Sequence, residues 1–192
     1  MSTRILAFAG SLRRDSWNKK LARLAAREVE QAGAQATFID LADFPLPLFD
    51  EDVEKQGTPD NAARLKQLFL EHDGLLISSP EYNSSITAVL KNAIDWVSRS
   101  APGEPGLAAF QQKTALLLAA SPGALGGLRG LVHLRAILGN IGVLVLPGQF
   151  ALAQAHQAFD DAGGLKDAKT AATISGLARQ LASVTARLRA GA

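Results

Sequence analysis

Three short polar segments each follow an apolar run, and they carry the residue types that could bind a ligand. They read GSLRRDSWN (10–18), SSPEYNSS (78–85) and ASPGALGGLRG (120–130), and we call them the first, second and third loops. Hydroxyl, amide and guanidinium groups dominate the first loop, a tyrosine marks the second, and glycines mark the third. The donors of the first loop suit an anion, and the other two loops suit a flat ligand.

The first loop has the composition of a phosphate site. Ser11, Ser16 and Asn18 offer short donors, and Arg13 or the arginine after it offers a planar group that can bind phosphate through two N–H groups. A helix beginning after the loop would point its free N–H groups at the same place. The glycines of a dinucleotide fingerprint and the lysine of a Walker A loop are absent. A helix capped by Ser16 or the residue before it, beside solvated arginines, explains the same residues equally well.

The second loop places Pro80, Glu81, Tyr82 and Asn83 at the mouth of an apolar run, before a helical pattern that one of the next two serines would cap. Tyr82 is the single tyrosine of the chain, and its ring with a polar tip suits the edge of a planar ligand. The alternative is an ordinary turn whose tyrosine packs on the surface.

The third loop holds Ser121, Gly123, Gly126 and Gly127 after another apolar run. This much glycine indicates a close approach of the backbone to a flat ligand, because glycine has no side chain to keep the two apart. A flexible connection is the alternative.

The elements that must position these loops can be read from hydrophobic periodicity. Near-continuous apolar runs, typical of strands covered on both faces, occupy 4–10, 35–41, 74–80, 113–121 and 142–148. Helical patterns occupy 17–32, 60–72, 85–98, 127–140 and 165–190. The alternation predicts an α/β fold with a doubly wound, five-stranded parallel sheet in a three-layer α/β/α sandwich. Ligands bind at the carboxyl ends of such strands, so all three loops should share one edge.

Bulk properties exclude several functional classes. The net charge of +2 is too small to indicate nucleic-acid binding, and no run approaches the roughly 20 apolar residues that span a bilayer. The chain has no cysteine, which excludes thiolate ligands and fits a cytoplasmic location. His72, His133 and His156 are isolated and indicate no metal site. We expect residues 1–192 to form one domain, with 44–61, 99–106 and 150–164 as loops within it.

Taken together, GSLRRDSWN, PEYNSSITAVLKNAIDW and SPGALGG resemble the NADPH-dependent FMN reductase family, whose members have a flavodoxin-like fold. The segment LADFPLPLFDED (41–52) also resembles the family's segment after its second strand, and the resemblance covers residues 4–150. Several similar proteins carry proline near position 87, where this chain has Thr87. Because this difference falls at the start of a helix, we expect no effect on the flavin.

The residues that the resemblance assigns to FMN fall into three groups. Those for the phosphate are Ser11, Arg13, Ser16 and Asn18. Those for the ribityl chain and isoalloxazine ring are Pro80, Glu81, Tyr82 and Asn83, partly through backbone groups. Those on the other side of the ring are Ser121, Gly123, Gly126 and Gly127. No residue is assigned as a catalytic acid or base, because the cofactor carries the chemistry.

The resemblance implies an oxidoreductase that passes hydride from NADPH or NADH to bound FMN and then two electrons to a quinone, flavin, azo compound or metal oxyanion. It also implies a homodimer or homotetramer, for which Trp96 is a candidate interface residue unless it lies in the core. One alternative is a flavodoxin-like electron carrier or flavin-binding protein without reductase activity. Another is a phosphosugar- or nucleotide-binding module, which would leave PEYN unexplained.

Overall fold

Strands and helices alternate along the chain, as the apolar periodicity predicts. The computed structural model describes residues 2–101 and 103–191. The described residues therefore exclude Met1 and Ala192, at the ends of the expected domain, and Pro102, in the expected loop 99–106. In the described part the strands are β1 (Arg4–Ala9), β2 (Gln35–Asp40), β3 (Gly74–Ser78), β4 (Thr114–Ala120) and β5 (Leu144–Leu152). The helices are α1 (Trp17–Gln31), α2 (Glu51–Lys55), α3 (Asp60–Glu71), α4 (Ala88–Val97), α5 (Leu128–Asn140), α6 (Ala155–Ala158) and α7 (Ala168–Ala190).

One parallel sheet forms the centre of the fold, with the strand order β2-β1-β3-β4-β5. Successive residues of a strand face opposite sides. Leu116 and Leu118 of β4 therefore join the apolar cluster that includes α1 and α7, whereas Leu117 joins the cluster that includes α3, α4 and α5. Strands β3 and β4 are buried along their whole length. Helices on both faces confirm the predicted flavodoxin-like α/β/α sandwich.

The strand order reverses between β1 and β3, because the chain passes from β2 back over β1. Helix α1, which follows β1, packs on one face of the sheet, and α4, which follows β3, packs on the other. Open α/β sheets bind ligands at the carboxyl ends of the strands beside such a reversal. The first and second loops follow β1 and β3 at this point.

Two segments expected to be loops contain regular structure. Strand β5 runs on through Pro147 and Gly148 to Leu152, with a register irregularity opposite β4, so the start of the segment 150–164 is strand. Helix α6 and an isolated bridge between Phe159 and Leu165 follow. The segment 44–61 contains α2, a single helical turn that could not be recognised from so short a pattern.

Trp96 is a core residue, because only 1% of it is exposed. Its indole N–H donates to the carbonyl oxygen of Pro47 at 2.9 Å. Asn92, one turn earlier on α4, donates to the same oxygen and accepts from the N–H of Phe49. These bonds hold the proline-rich segment after β2 against α4. The expectation that Trp96 could serve at a subunit interface is therefore wrong, and the core interpretation is confirmed.

Candidate functional site

The three loops meet at one edge of the sheet, as the parallel topology requires. Ala9 at the end of β1 lies opposite Ser78 at the end of β3, and Ser78 lies opposite Leu118 near the end of β4. The N–H of Gly10 donates to the carbonyl oxygen of Ser78 at 3.0 Å, and that of Ser79 donates to Leu118 at 2.8 Å. The three loops therefore begin next to one another, at the ends of the adjacent strands β1, β3 and β4.

The first loop combines buried hydroxyls with an exposed guanidinium. Ser11 and Ser16 are 4% and 3% exposed, whereas Arg13 is exposed. Ser16 is the N-cap of α1 and its oxygen accepts from the N–H of Lys19, so the predicted capping role is confirmed. The cap accepts a hydrogen bond and leaves the hydroxyl hydrogen to donate, so capping and anion binding are compatible. The backbone N–H groups of the first turn of α1 point out of the helix at the same place.

Asn18 has a different environment from the free donor that the sequence indicated. It is 3% exposed, and its Nδ2 donates to the carbonyl oxygen of Ala120 at 2.7 Å. Its Oδ1 accepts from the hydroxyl of Ser78 at 2.8 Å and from the N–H of Ala120 at 2.9 Å. The amide therefore ties α1 to the ends of β3 and β4, and one Nδ2 hydrogen remains for a ligand.

The second loop is a tight turn rather than an open lid. The N–H and carbonyl groups of Tyr82 and Ser85 exchange two hydrogen bonds of 3.0 and 3.1 Å. Asn83 and Ser84 between them have φ values of 50° and 65°, the left-handed pair that a two-residue type I′ turn requires. Pro80 is buried at the base, while Tyr82 is 53% exposed and Asn83 is exposed. The turn therefore has a defined backbone and exposes an aromatic and an amide side chain.

The carboxylate of Glu81 is bonded to the first turn of α5. Its Oε1 accepts from Arg129 Nε at 2.7 Å, and its Oε2 accepts from the N–H groups of Arg129 and Gly130 at 3.0 and 3.3 Å. Arg129 Nη2 completes an ion pair with a carboxylate whose side chain is only 8% exposed. Desolvation raises the pKa of Glu81, but the hydrogen bonds from Arg129 and Gly130 and the charge of Arg129 outweigh it, so the pKa lies below its ordinary value.

Thr87 joins the start of α4, directly after the second loop, to the first loop, a role that sequence reasoning missed. It is 2% exposed and caps α4 by accepting from the N–H of Leu90, while its hydroxyl donates to the carbonyl oxygen of Gly10 at 2.7 Å. The expectation that a serine of the second loop caps this helix is therefore wrong. Threonine is an ordinary N-cap, which was the available signal, but its bond to Gly10 depends on the folded chain.

The third loop needs two of its glycines for contacts within the protein. Gly126 has φ +62°, and a Cβ there would lie 2.7 Å from the carbonyl carbon of Ala151. Gly127 has φ +94°, and its Cβ would lie 2.9 Å from that of Ala119. These close approaches are to the sheet, which differs from the approach to a ligand inferred from sequence. Only at Gly123, where a Cβ would meet nothing closer than 3.6 Å, is the space open.

A cleft of about 470 Å³ lies between the second and third loops. Among the residues that the sequence singled out, its lining includes Glu81, Asn83, Ser121, Gly123, Gly126 and Gly127. Pro80, Tyr82 and the four residues of the first loop are not part of this lining, so the structure gathers half of the expected site into one cleft and leaves the phosphate candidates beside it. Ser121 is anchored there, since its N–H donates to Leu152 and its hydroxyl accepts from the N–H of Gly123.

Three side chains therefore hold the loops together. Asn18 joins the first loop to the ends of β3 and β4. Thr87 joins the first loop to the start of α4, directly after the second loop, and Glu81 joins the second loop to α5, which begins within the third. A donor-rich first loop on the same edge as this cleft suits a ligand that carries a phosphate group. Within residues 2–101 and 103–191 no group of three histidine or acidic side chains could hold a metal ion.

Comparison with known proteins identifies relatives over most of the chain. A family model described as NADPH-dependent FMN reductase matches residues 3–157. An NAD(P)H-dependent FMN reductase from Pseudomonas aeruginosa is 37% identical over 188 residues, covering 97% of this chain and 97% of its own. An NADPH:quinone oxidoreductase from Arabidopsis thaliana is 36% identical over 196 residues, covering 97% of this chain and 93% of its own.

A solved structure of a flavoenzyme has the same fold as this chain. The flavoenzyme NAD(P)H:(acceptor) oxidoreductase from Paracoccus denitrificans superposes with a TM-score of 0.80 at 27% identity, covering 96% of this chain and 98% of its own. No helix in the described part of the chain has the length and hydropathy to cross a membrane.

Proposed function

The chain belongs to the NADPH-dependent FMN reductase family, and from this we propose that it passes electrons from NADPH or NADH through FMN to a small acceptor at the three-loop edge. The protein is an enzyme of the FMN reductase and quinone reductase type, with FMN and NAD(P)H as its cofactors. These enzyme relatives favour it over an electron carrier without reductase activity. When bound, FMN supplies a ring that accepts a hydride and returns two electrons.

The observation that carries the proposal is the donor set of the first loop. We assign the terminal phosphate of FMN to the hydroxyls of Ser11 and Ser16 and to Arg13, with the remaining amide hydrogen of Asn18 at its base. The N-terminal turn of α1 adds backbone donors and the positive end of the helix dipole. The buried hydroxyls are fixed in place, so they bind with little ordering cost, while Arg13 supplies the charge.

The ribityl chain and ring belong, in this proposal, to the second and third loops. Pro80, Tyr82 and Asn83 present the edge of a fixed turn, and Glu81 contributes through its backbone, because its carboxylate is bound to α5. Ser121 and Gly123 form the opposite side of the cleft, and Gly126 and Gly127 keep that side close to the sheet. The chain's task is then to hold the ring with one face open to a second planar molecule.

We propose a quinone as the preferred acceptor. The Arabidopsis relative is named for quinone reduction, as is a Pseudomonas putida relative that is 32% identical over 165 residues. A quinone would take a hydride from reduced FMN and one proton from water to give the hydroquinone, so no acid or base of the protein is required. Free flavins, azo compounds and metal oxyanions are further candidates that the same open face would accept.

We also propose that the protein is a homodimer or homotetramer. Leu125, Leu128 and Val132 are 52%, 42% and 60% exposed beside the cleft, and Tyr82 is 53% exposed on the neighbouring turn. Leu128 and Val132 are four residues apart and share one face of α5. An apolar patch at the rim of a ligand site is typical of a subunit contact. Sedimentation velocity on the purified protein measures the assembly.

We propose that the whole chain forms one FMN-binding domain, since both apolar clusters are built on the same five-stranded sheet. A cytoplasmic location is proposed from the absence of cysteine and from the use of NAD(P)H.

Titration of the cofactor-free protein with FMN and riboflavin tests the phosphate assignment. Arg13→Ala should weaken FMN binding by about 1.5–3 kcal/mol, the range for a hydrogen bond to a charged group, and should leave riboflavin binding unchanged. Arg14→Ala is the matched control, because it removes an exposed guanidinium from the next position of the same loop. Unchanged FMN affinity in Arg13→Ala, or equal losses for FMN and riboflavin, would contradict the assignment.

A further inference from the structure

Glu81 supplies the N-terminal cap that α5 lacks in its own sequence. The N-cap position of α5 is Gly127, which has φ +94° and no side chain to accept from the first turn. The carboxylate of Glu81 accepts instead from the N–H groups of Arg129 and Gly130 in that turn, 48 and 49 residues further along the chain. In the pair with Arg129 the Glu81 side chain is 8% exposed and that of Arg129 is 58% exposed, so the carboxylate is more shielded from solvent than that of a fully exposed surface pair.

Other contacts make the second loop and α5 fit closely. A Cβ on Gly130 would lie 3.2 Å from the carbonyl oxygen of Ser85, so the absence of a side chain there lets the turn approach the helix. The hydroxyl of Ser85 lies 2.8 Å from Nδ1 of His133, one turn further along α5. A Cβ on Gly127 would be 3.7 Å from the Cβ of Glu81. The two walls of the cleft therefore meet at Glu81.

We propose that Glu81 is a positioning residue, a latch that holds the second loop against the first turn of α5 and so sets the width of the cleft between the second and third loops. The proposal rests on the proposed function, because the ring of FMN is the ligand whose fit this width would control. Both carboxylate oxygens are bound to α5, so the side chain acts through the loops and not by contact with the flavin.

Amide hydrogen exchange in the cofactor-free protein tests whether Glu81 holds the second loop against α5. Glu81→Ala should speed amide hydrogen exchange in the second loop (78–85) and in the segment from the third loop to the first turn of α5 (121–131) together. A simple helix cap would loosen only the second of these segments. Asp95→Asn is the control, because it removes a carboxylate from the exposed pair with Lys91 on α4 and should leave both segments unchanged.

Ligand affinity gives an independent test. Glu81→Ala should weaken FMN and riboflavin binding by the same factor. We expect a loss of affinity of about 10-fold or more, which corresponds to the free energy of one charge-assisted hydrogen bond. This pattern differs from Arg13→Ala, which acts on the phosphate alone. If Glu81→Ala does not fold, Glu81→Gln replaces it, since the amide keeps the shape and one acceptor but loses the ion pair.

The outcomes separate the latch from the proposed function. Faster exchange in both segments, with equal weakening for both ligands, supports the latch. The latch proposal is overturned if amide exchange changes in only one of the two segments. It is also overturned if the affinities of Glu81→Ala for FMN and riboflavin stay within twofold of those of the unchanged protein. If the unchanged protein binds neither FMN nor riboflavin, the proposed function fails, and the exchange experiment still decides whether Glu81 joins the two loops.

Discussion

Replacement of Asn18 tests whether the three loops are held by buried side chains. Asn18→Ala removes three hydrogen bonds and leaves the N–H and carbonyl groups of Ala120 and the hydroxyl of Ser78 without this partner. Each such bond contributes about 0.5–1.5 kcal/mol, and a buried group left unpaired costs about 1–3 kcal/mol. Because water can enter the space left by the amide, we expect a total loss of about 3–5 kcal/mol in the free energy of unfolding.

The assay is chemical and thermal unfolding of the cofactor-free protein. For a chain of this length the expected loss corresponds to a fall in Tm of roughly 6–20 °C. Asn140→Ala is the control, because Asn140 is the exposed last residue of α5 and its replacement should cost less than about 0.5 kcal/mol. An Asn18→Ala protein within about 1 kcal/mol of the unchanged one would refute the reasoning, because three buried hydrogen bonds cannot be that weak.

Two further predictions concern the third loop and the acid range. Gly126→Ala should destabilise the protein by about 2–4 kcal/mol in denaturant unfolding, since a Cβ at φ +62° would clash with the backbone of Ala151. Gly123→Ala, where the space is open, should change stability by less than about 0.5 kcal/mol, and equal effects of the two variants would contradict the explanation. Glu81 faces Arg129 and lies on the loop that contacts His133, and its pKa is lowered in the folded protein. The ionised carboxylate therefore stabilises the protein at pH values above the ordinary carboxyl pKa of 4.5. This stabilisation is lost as the pH falls from 4.5 through the folded-state pKa. Glu81→Gln should therefore be less stable at neutral pH and lose less on acidification, and an unchanged pH profile of unfolding would be evidence against the shift.

The fold could be predicted from sequence because its signal is local and repeated. Buried parallel strands such as β3 and β4 are continuous apolar runs, and the helices between them carry apolar stripes. The extension of β5 to Leu152 was missed because Pro147 and Gly148 are ordinarily strand breakers. The short helix α2 was missed because five residues carry too little periodicity.

The location of the candidate site could be predicted from sequence, but the contacts of each side chain could not. The loops fall on one edge because parallel strands end there, which is a property of the fold. Whether Asn18 and Glu81 face a ligand or the protein depends on Ala120 and Arg129, which lie far along the chain, and sequence spacing alone cannot place those partners. The same holds for Gly126, whose close neighbour Ala151 lies on β5, and for Gly127, whose close neighbour Ala119 lies on β4.

The most direct test of the function is anaerobic rapid mixing of the FMN-loaded protein with NADPH and, separately, with NADH. We expect the absorbance of oxidised flavin to bleach with at least one of the two donors, and to return when a benzoquinone is added in a second mixing step. Flavin that stays oxidised with both donors, but bleaches when an external reductase is supplied, would contradict the account and leave an electron carrier in its place.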